Sequence, residues 1–169
     1  MDQTVINSKI YEDGNEYLGI ADVTLPDIGY LTQTISGAGI AGNIDTAVIG
    51  HIEAMKMSMS FRTTTRECIR LTEPRMHTID IRVAQQEEDT VTRQIKVTSV
   101  KHVMVVMPTG YKSGKLSPAS PSNGSGDYSV RVWKTYIDGK LVLEVDPANY
   151  KFVVNGIDYL AEVRAALGM

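Results

Sequence analysis

Several places in this 169-residue sequence carry residue types that could do chemistry. Gly37-Ala38-Gly39-Ile40-Ala41-Gly42 has the spacing GxGxxG. That pattern cradles a pyrophosphate only inside a βαβ unit, with a strand before it, a helix after it and an acidic residue about 20 positions on. Here the chain turns strand-like again within ten residues, so nucleotide binding lacks its context. Gly110-Tyr-Lys-Ser-Gly114-Lys115-Leu116 resembles a phosphate loop, but it has three residues between the glycines instead of four, and Leu116 stands where Ser or Thr would reach a metal. The three histidines, His51, His77 and His102, show no paired ligand spacing, and neither Gly-x-Ser-x-Gly nor a cysteine-with-histidine signature occurs. Glu87, Glu88 and Asp89 read as a solvated turn, and a cation there would need ligands from elsewhere. Asn123-Gly-Ser125 is a glycosylation sequon, idle in a cytoplasmic protein. The expectation is no catalytic residue, no metal, no cofactor and no enzymatic activity.

Composition bounds the rest. A hydrophobic content of 43% with 22% charged residues is that of a globular chain, long enough to bury a core as one domain over residues 1–169. A net charge of −3 with no basic patch argues against a nucleic-acid-binding surface. Met1-Asp-Gln-Thr-Val-Ile shows no signal-peptide pattern, and no apolar run approaches the ~20 residues of a membrane helix, so synthesis in the cytoplasm and no membrane binding are expected. A single cysteine, Cys68, excludes an internal disulfide and reads as a small buried hydrophobe.

The stretch around which the chain is organised runs from Ile35 to Ile52. It is too rich in glycine to read as a helix or a strand, yet its one formal charge is Asp45 and apolar residues fill most other places. Connections on a surface are normally polar. An apolar one either folds over its own core or is covered by another molecule, first of all another copy of the chain. The candidate contact residues are Ile35, Gly37, Gly39, Ile40, Gly42, Ile44, Asp45, Val48 and Ile49.

Around it the signal is alternation. A hairpin is expected about Asp13-Gly14-Asn15, with the second run, Tyr17 to Leu25, stopped by Pro26. Met55, Met57, Met59 and Phe61 alternate with Lys56, Ser58, Ser60 and Arg62, a strand with one buried face. Thr63 to Thr72 fits a short helix capped by Thr64 or Thr65, with Cys68 and Leu71 inward and Pro74 beyond its end. Ile79, Ile81 and Val83 begin a strand, Gln85 to Asp89 turn it, and Ile95, Val97, Val103, Val105 and Met107 return. A change of phase near Val100 suggests a bulge or a bend between two sheets. Residues 108–127, dense in Gly, Ser and Pro, read as an excursion. Asp138-Gly139 turns the last hairpin, and Asn155, with Asp158 three residues on, opens a helix closed by Gly168. The fold class expected is mainly β, an antiparallel sandwich or barrel of about eight to ten strands with two short helices.

The order of these motifs resembles the major tail tube proteins of contractile-tailed phages and R-type bacteriocins. The residues that carry the likeness are Tyr128-x-Val130, Tyr136-x-Asp138-Gly139, Glu144-Val-Asp146-Pro147-x-Asn149, Asn155-Gly156-Ile157-Asp158-x-Leu160-Ala161 and Leu167-Gly168. Upstream they are Asp13-Gly14, Leu25-Pro26, Gly37-Ala-Gly39-Ile, Ile44-Asp45 and Gly50-x-x-Glu53-Ala54. Tyr111, where a tryptophan is expected, and a longer Ser/Pro/Gly segment after it depart from the pattern. The resemblance implies hexameric rings whose sheets join into a continuous barrel, stacked as a hollow tube in a phage tail or tailocin particle assembled in the bacterial cytoplasm. It implies that Ile35 to Ile52 and the residues up to about Lys9 are contacts between copies, and that Lys56, Ser58 and Ser60, or Asp80 and Arg82, face the lumen. The partners implied are further copies, a tail sheath against the C-terminal helix or residues 108–127, tape-measure and baseplate proteins, and double-stranded DNA in transit without specific binding. A type VI secretion-like tube protein and a baseplate or carbohydrate-binding sandwich are the alternatives. The latter calls for a patch of exposed aromatics, and the one tryptophan, Trp133, falls in a predicted strand.

Overall fold

The computed structural model describes residues 2–16 and 20–169. Among them the chain forms twelve strands and two short helices. These are β1 (Asp2–Glu12), β2 (Asn15–Glu16), β3 (Ile20–Thr24), β4 (Tyr30–Ile35), β5 (Ile44–Ile52), β6 (Met55–Phe61), α1 (Arg66–Arg70), β7 (His77–Glu88), β8 (Ile95–Lys112), β9 (Gly124–Ile137), β10 (Lys140–Asp146), β11 (Lys151–Val154), β12 (Ile157–Asp158) and α2 (Ala161–Leu167). All the pairings are antiparallel, as the alternation predicts. The main sheet runs β12-β11-β10-β9-β8-β7-β1-β2, and β4 with β5 forms a separate two-stranded ribbon.

The long β8–β9 hairpin organises the packing. One edge of β9 pairs with β8, and the other is shared: Trp133 to Ile137 pair with β10, while Gly124 to Val130 pair with β6, which in turn carries β3. The register between β8 and β9 shifts at Val105/Val106 and again at Pro108/Gly110. Extra residues of this kind bend a strand and increase its twist, so one hairpin serves two layers that close on a common core. Met55, Met57, Met59, Phe61 and Tyr128 come from one layer; Ile10, Ile79, Ile81, Met104, Trp133 and Val145 come from the other. The strict alternation of β6 is the cause: its methionines and Phe61 are buried while Lys56 is exposed.

Helix α1 begins as the sequence predicts. Thr65 is extended and its hydroxyl accepts from the backbone N–H of Cys68, which fills a donor the first turn leaves open. Cys68 and Leu71 are buried in the core. The Asp138-Gly139 turn also forms, with both residues at positive φ, 48° and 79°, the backbone a two-residue hairpin needs to match strand twist. The Asp138 carboxylate accepts from the backbone N–H of Ser99 and so fixes the turn to β8.

Five expectations are corrected. The stretch from Ile35 to Ile52 is not a loop: Ile44–Ile52 is strand β5, and only residues 36–43 are irregular. Of the first hairpin, only Asn15 and Glu16 pair back on β1, and Ile20–Thr24 pairs with β6 instead; residues 17–19 of the expected run lie outside the described residues. Glu87 and Glu88 remain in β7, and the turn is made by residues 89–94. No bulge occurs at Val100. The register with β7 is unbroken from Glu88↔Ile95 to His77↔Val106, and the buried series is Thr98, Val100, His102, Met104 and Val106. Two polar residues on the inner face hid its phase. Finally, Asn155-Gly156 is a left-handed turn between β11 and β12, and α2 starts only at Ala161. Asp158 lies ahead of that helix, where its carboxylate accepts from the backbone N–H of Leu160 and pairs with Arg164. This pairing holds the carboxyl below its usual range.

Candidate functional site

The β4–β5 ribbon is an arm. Its pairs run from Ile35↔Ile44 at the tip to Tyr30↔Ile52 at the root. Every residue from Tyr30 to Ile49 is exposed, among them the apolar side chains of Tyr30, Leu31, Ile35, Ile40, Ile44, Val48 and Ile49. Asp45, its one charge up to Gly50, accepts from the Thr34 hydroxyl at 2.7 Å across the ribbon. Gly37, Gly39 and Gly42 make the tip, where the backbone N–H of Ile40 donates to the carbonyl of Gly37. This GxGxxG therefore joins two antiparallel strands, and no helix follows it. It has none of the geometry of a nucleotide site.

The root of the arm is built into the body. The N–H of Glu53 donates to the carbonyl of Gly29 at 2.7 Å, and the Tyr30 ring stands 6.1 Å from that of Phe152 on β11. Gly50 is at φ 73°, and a Cβ there would overlap the buried side chain of Leu160, just ahead of α2. Only glycine satisfies both the backbone and the close approach.

The two sets of residues assigned to a lumen lie apart. Lys56, Ser58 and Ser60 are on the side of β6 that faces away from the methionine core. Asp80 and Arg82 are on the corresponding outer side of β7, in the other layer. There Asp80 pairs with Arg82 at 3.4 Å and Lys101 at 3.6 Å; Arg82 lies over the Tyr11 ring and Lys101 over Tyr136. The same face continues to Glu144 on β10, which holds Lys134 and Lys151. A shallow groove of about 770 Å³ crosses it between Lys9, Tyr11, Arg82, Lys101 and Tyr136. Arg82 and Lys101 there are engaged by Asp80 and by the Tyr11 and Tyr136 rings, so the groove presents mixed charge.

The buried polar groups are structural. His77 Nδ1 lies 2.7 Å from Glu12 Oε1, and Arg75 reaches the same oxygen at 3.1 Å. His77 Nε2 lies 3.0 Å from the carbonyl of Glu73, which can only accept, so Nε2 carries a proton. This network ties the end of β1 to the start of β7 and shows no access for a substrate: Glu12 is 2% exposed and His77 0%. His102 accepts the indole N–H of Trp133 and bonds the Thr135 hydroxyl, and burial pushes its imidazole down, towards the neutral form. Sequence reading missed both clusters, because their members stand 31 to 65 positions apart. It also missed a second exposed apolar region at the far end of β7 and β8, whose signal, Val91, Ile95 and Val97 around an acidic turn, was masked by the charges beside it.

A solved structure with the same fold comes from a contractile injection system. A chain of the sheath/tube terminator of an extracellular contractile injection system aligns with a TM-score of 0.54 at 9% identity, over 79% of this chain and 96% of that one. A chain of the sheath-tube complex of such a system aligns at 0.48 and 10% identity, over 78% and 87%, and one from the anti-feeding prophage cap at 0.45 and 14%, also over 78% and 87%. No curated protein sequence matches the chain. The sequence pattern of the phage tail tube protein FII family, however, matches residues 2–168. A mainly β fold, an arm that its own body does not cover and a family match over nearly its whole length agree: the chain belongs to the phage tail tube protein FII family.

Proposed function

We propose that the chain is the repeating subunit of a contractile tail or tail-like particle, and that it forms six-membered rings stacked into a hollow tube. The observation that carries this is the arm. A two-stranded ribbon alone is marginally stable in water, and a run of exposed apolar side chains this long is a contact surface. In an assembly, Ile35, Gly37, Gly39, Ile40, Gly42, Ile44, Asp45, Val48 and Ile49 are covered by a neighbouring copy. Strand β1 lies next to the end of the main sheet's strand order, where β2 pairs with its Tyr11 and Glu12, and this rim of the sheet is a second place for a copy to join.

Lys56, Ser58 and Ser60 face one exterior and Asp80 and Arg82 the other, so a ring turns only one of these faces to its pore. Double-stranded DNA is the cargo in a phage, and ions or effectors are the cargo in a tailocin. A sheath packs outside the tube, against α2 or residues 108–127, of which 108–112 and 124–127 belong to β8 and β9 and 113–123 connect them, in keeping with the sheath/tube terminator that supplied one structural neighbour. Tape-measure and baseplate proteins meet the tube in its lumen and at its end.

The test is negative-stain electron microscopy of the purified chain over a range of concentrations, with light scattering for mass. Six-fold rings or hollow tubes are expected. Deleting residues 37–42 should leave a folded monomer that no longer stacks; a compact closed dimer of the parent chain, or normal tubes from the deletion, contradicts the reading.

A further inference from the structure

The arm needs a receiving surface, and the body offers one at its opposite end. Strands β7 and β8 run on past the core: inward positions are fully buried at Ile79 and Ile81 but only half-buried at Gln85 and Glu87. The first half of β1 runs beside them, with Thr4↔Gln86 and Gln86↔Val97 in one row. This three-stranded finger exposes Val5, Ile6, Val91, Ile95 and Val97, and Val91 at its tip is 87% exposed. The tip is ordered. The Asp89 carboxylate accepts from the N–H groups of Val91 and Thr92, and Arg93 pairs with Glu88.

We propose that the finger of one copy receives the β4–β5 arm of the next. Three observations favour this partner, and all rest on the tube reading above. The arm is apolar and carries one charge up to Gly50, already bonded to Thr34, so its partner surface must be apolar and must ask for no ion pair. The finger supplies exposed aliphatic side chains, Ile95 and Val97 on its outer face, Val91 at its tip and Val5, in the row of Gln85, on its other face. The arm is rooted against β11 and Leu160, whereas the finger includes β1, at the other end of the strand order. A contact between two different patches at opposite ends is head-to-tail and propagates into a ring or filament. The remaining apolar cluster, Ile157, Tyr159, Leu167 and Met169, lies next to the arm's own root. An arm docked there meets the neighbour beside its own arm root, where Tyr30 and Gly50 already pack against Phe152 and Leu160.

The test uses the full chain with Ile40→Cys at the arm tip and Val91→Cys at the finger tip, treated with a short bis-maleimide after assembly. Cys68 is fully buried and serves as the unreactive background. Assembled double variant should give a covalent ladder of multimers, and mixed single variants a covalent dimer. Either single variant alone should give no more product than the parent. No ladder from assembled material, or efficient linkage of Ile40→Cys with itself, overturns the proposal. A second variant, Ile95→Glu with Val97→Glu, changes only exposed side chains. It should lower sedimentable assembly by roughly tenfold or more, because an unpaired carboxylate buried in an apolar contact is costly; assembly at the parental level overturns the proposal. A parent chain that forms no rings or tubes overturns the tube reading itself, whereas a parent that assembles while these variants behave like it leaves the tube reading standing and removes only the arm-to-finger contact.

Discussion

Strand β6 and the β4–β5 arm are both antiparallel and both rich in apolar residues, yet they differ in the surroundings of almost every side chain. In β6 the four inward residues, Met55, Met57, Met59 and Phe61, are at most 3% exposed, and their neighbours face out. In the arm every residue from Tyr30 to Ile49 is exposed. Alternation arises only where one side of a strand is dry and the other wet. β6 has both sides defined by its own chain. The arm has one environment on both sides until another molecule arrives, so its sequence shows apolar content without period. The lesson is that a chain encodes its fold and its assembly in different patterns.

Three experiments break or sharpen that contrast. The largest effect on stability is expected from Met57→Ala, which removes a fully buried side chain and leaves a cavity: about 2–5 kcal/mol in urea unfolding of the monomer, against a change near zero for trimming the arm. A loss below ~1 kcal/mol would mean that the methionine layer repacks freely. Gly50→Ala, at the junction of the two regions, should cost about 1–3 kcal/mol through its positive φ and the overlap with Leu160, and should re-aim the arm. Folded protein that no longer forms tubes in the microscope is expected; tubes at parental yield would show that Gly50 does not set the arm's direction.

The smallest effect is a pH dependence that belongs to the core alone. Burial lowers the pKa of His102, so from about pH 6.5 downward the unfolded chain takes up a proton that the folded chain refuses. Stability is full above that value and falls as the pH drops through the window towards the folded pKa. Denaturant midpoints measured between about pH 7 and 5 should fall for the parent and fall less for His102→Gln. Equal slopes would remove His102 as the source.

Where inside and outside were both supplied by the chain, the sequence was legible. The face of β6, the Thr65 cap and the Asp138-Gly139 turn each follow from residues within a few positions of one another. Failures came where a distant or external partner decided. β3 prefers β6 to its sequence neighbour β1. Thr98 and His102 occupy the dry face of β8 because Thr135 and Trp133 receive the ring of His102. Asn155 looks like a helix cap, but β11 and β12 use it with Gly156 as a turn. In the candidate site, the apolar character of residues 35–52 is plain in the sequence, and the structure leaves Ile35, Ile40, Ile44, Val48 and Ile49 exposed. That these residues form a strand could not be read, because among the described residues β5 pairs only with β4 and has no buried face to give it a period.

The strand order also sets a timetable. The long partner of β1 is β7, where Glu12 meets Ile79 and Asp2 meets Glu87; β2 pairs with Tyr11 and Glu12 at its end. At roughly 5–20 residues per second of synthesis, the first strand leaves the ribosome about 4–15 s before the strand it must join. Through that interval Val5 and Ile6 sit on an unpaired segment of high β propensity, in the company of other nascent chains that carry the same one. When β7 arrives it pairs with β1 along its length, with register shifts at Asp2/Thr4 and Val5/Asn7 that increase the local twist. The interval before β7 emerges is therefore the one in which β1 is open to pairing with the same strand of another nascent chain.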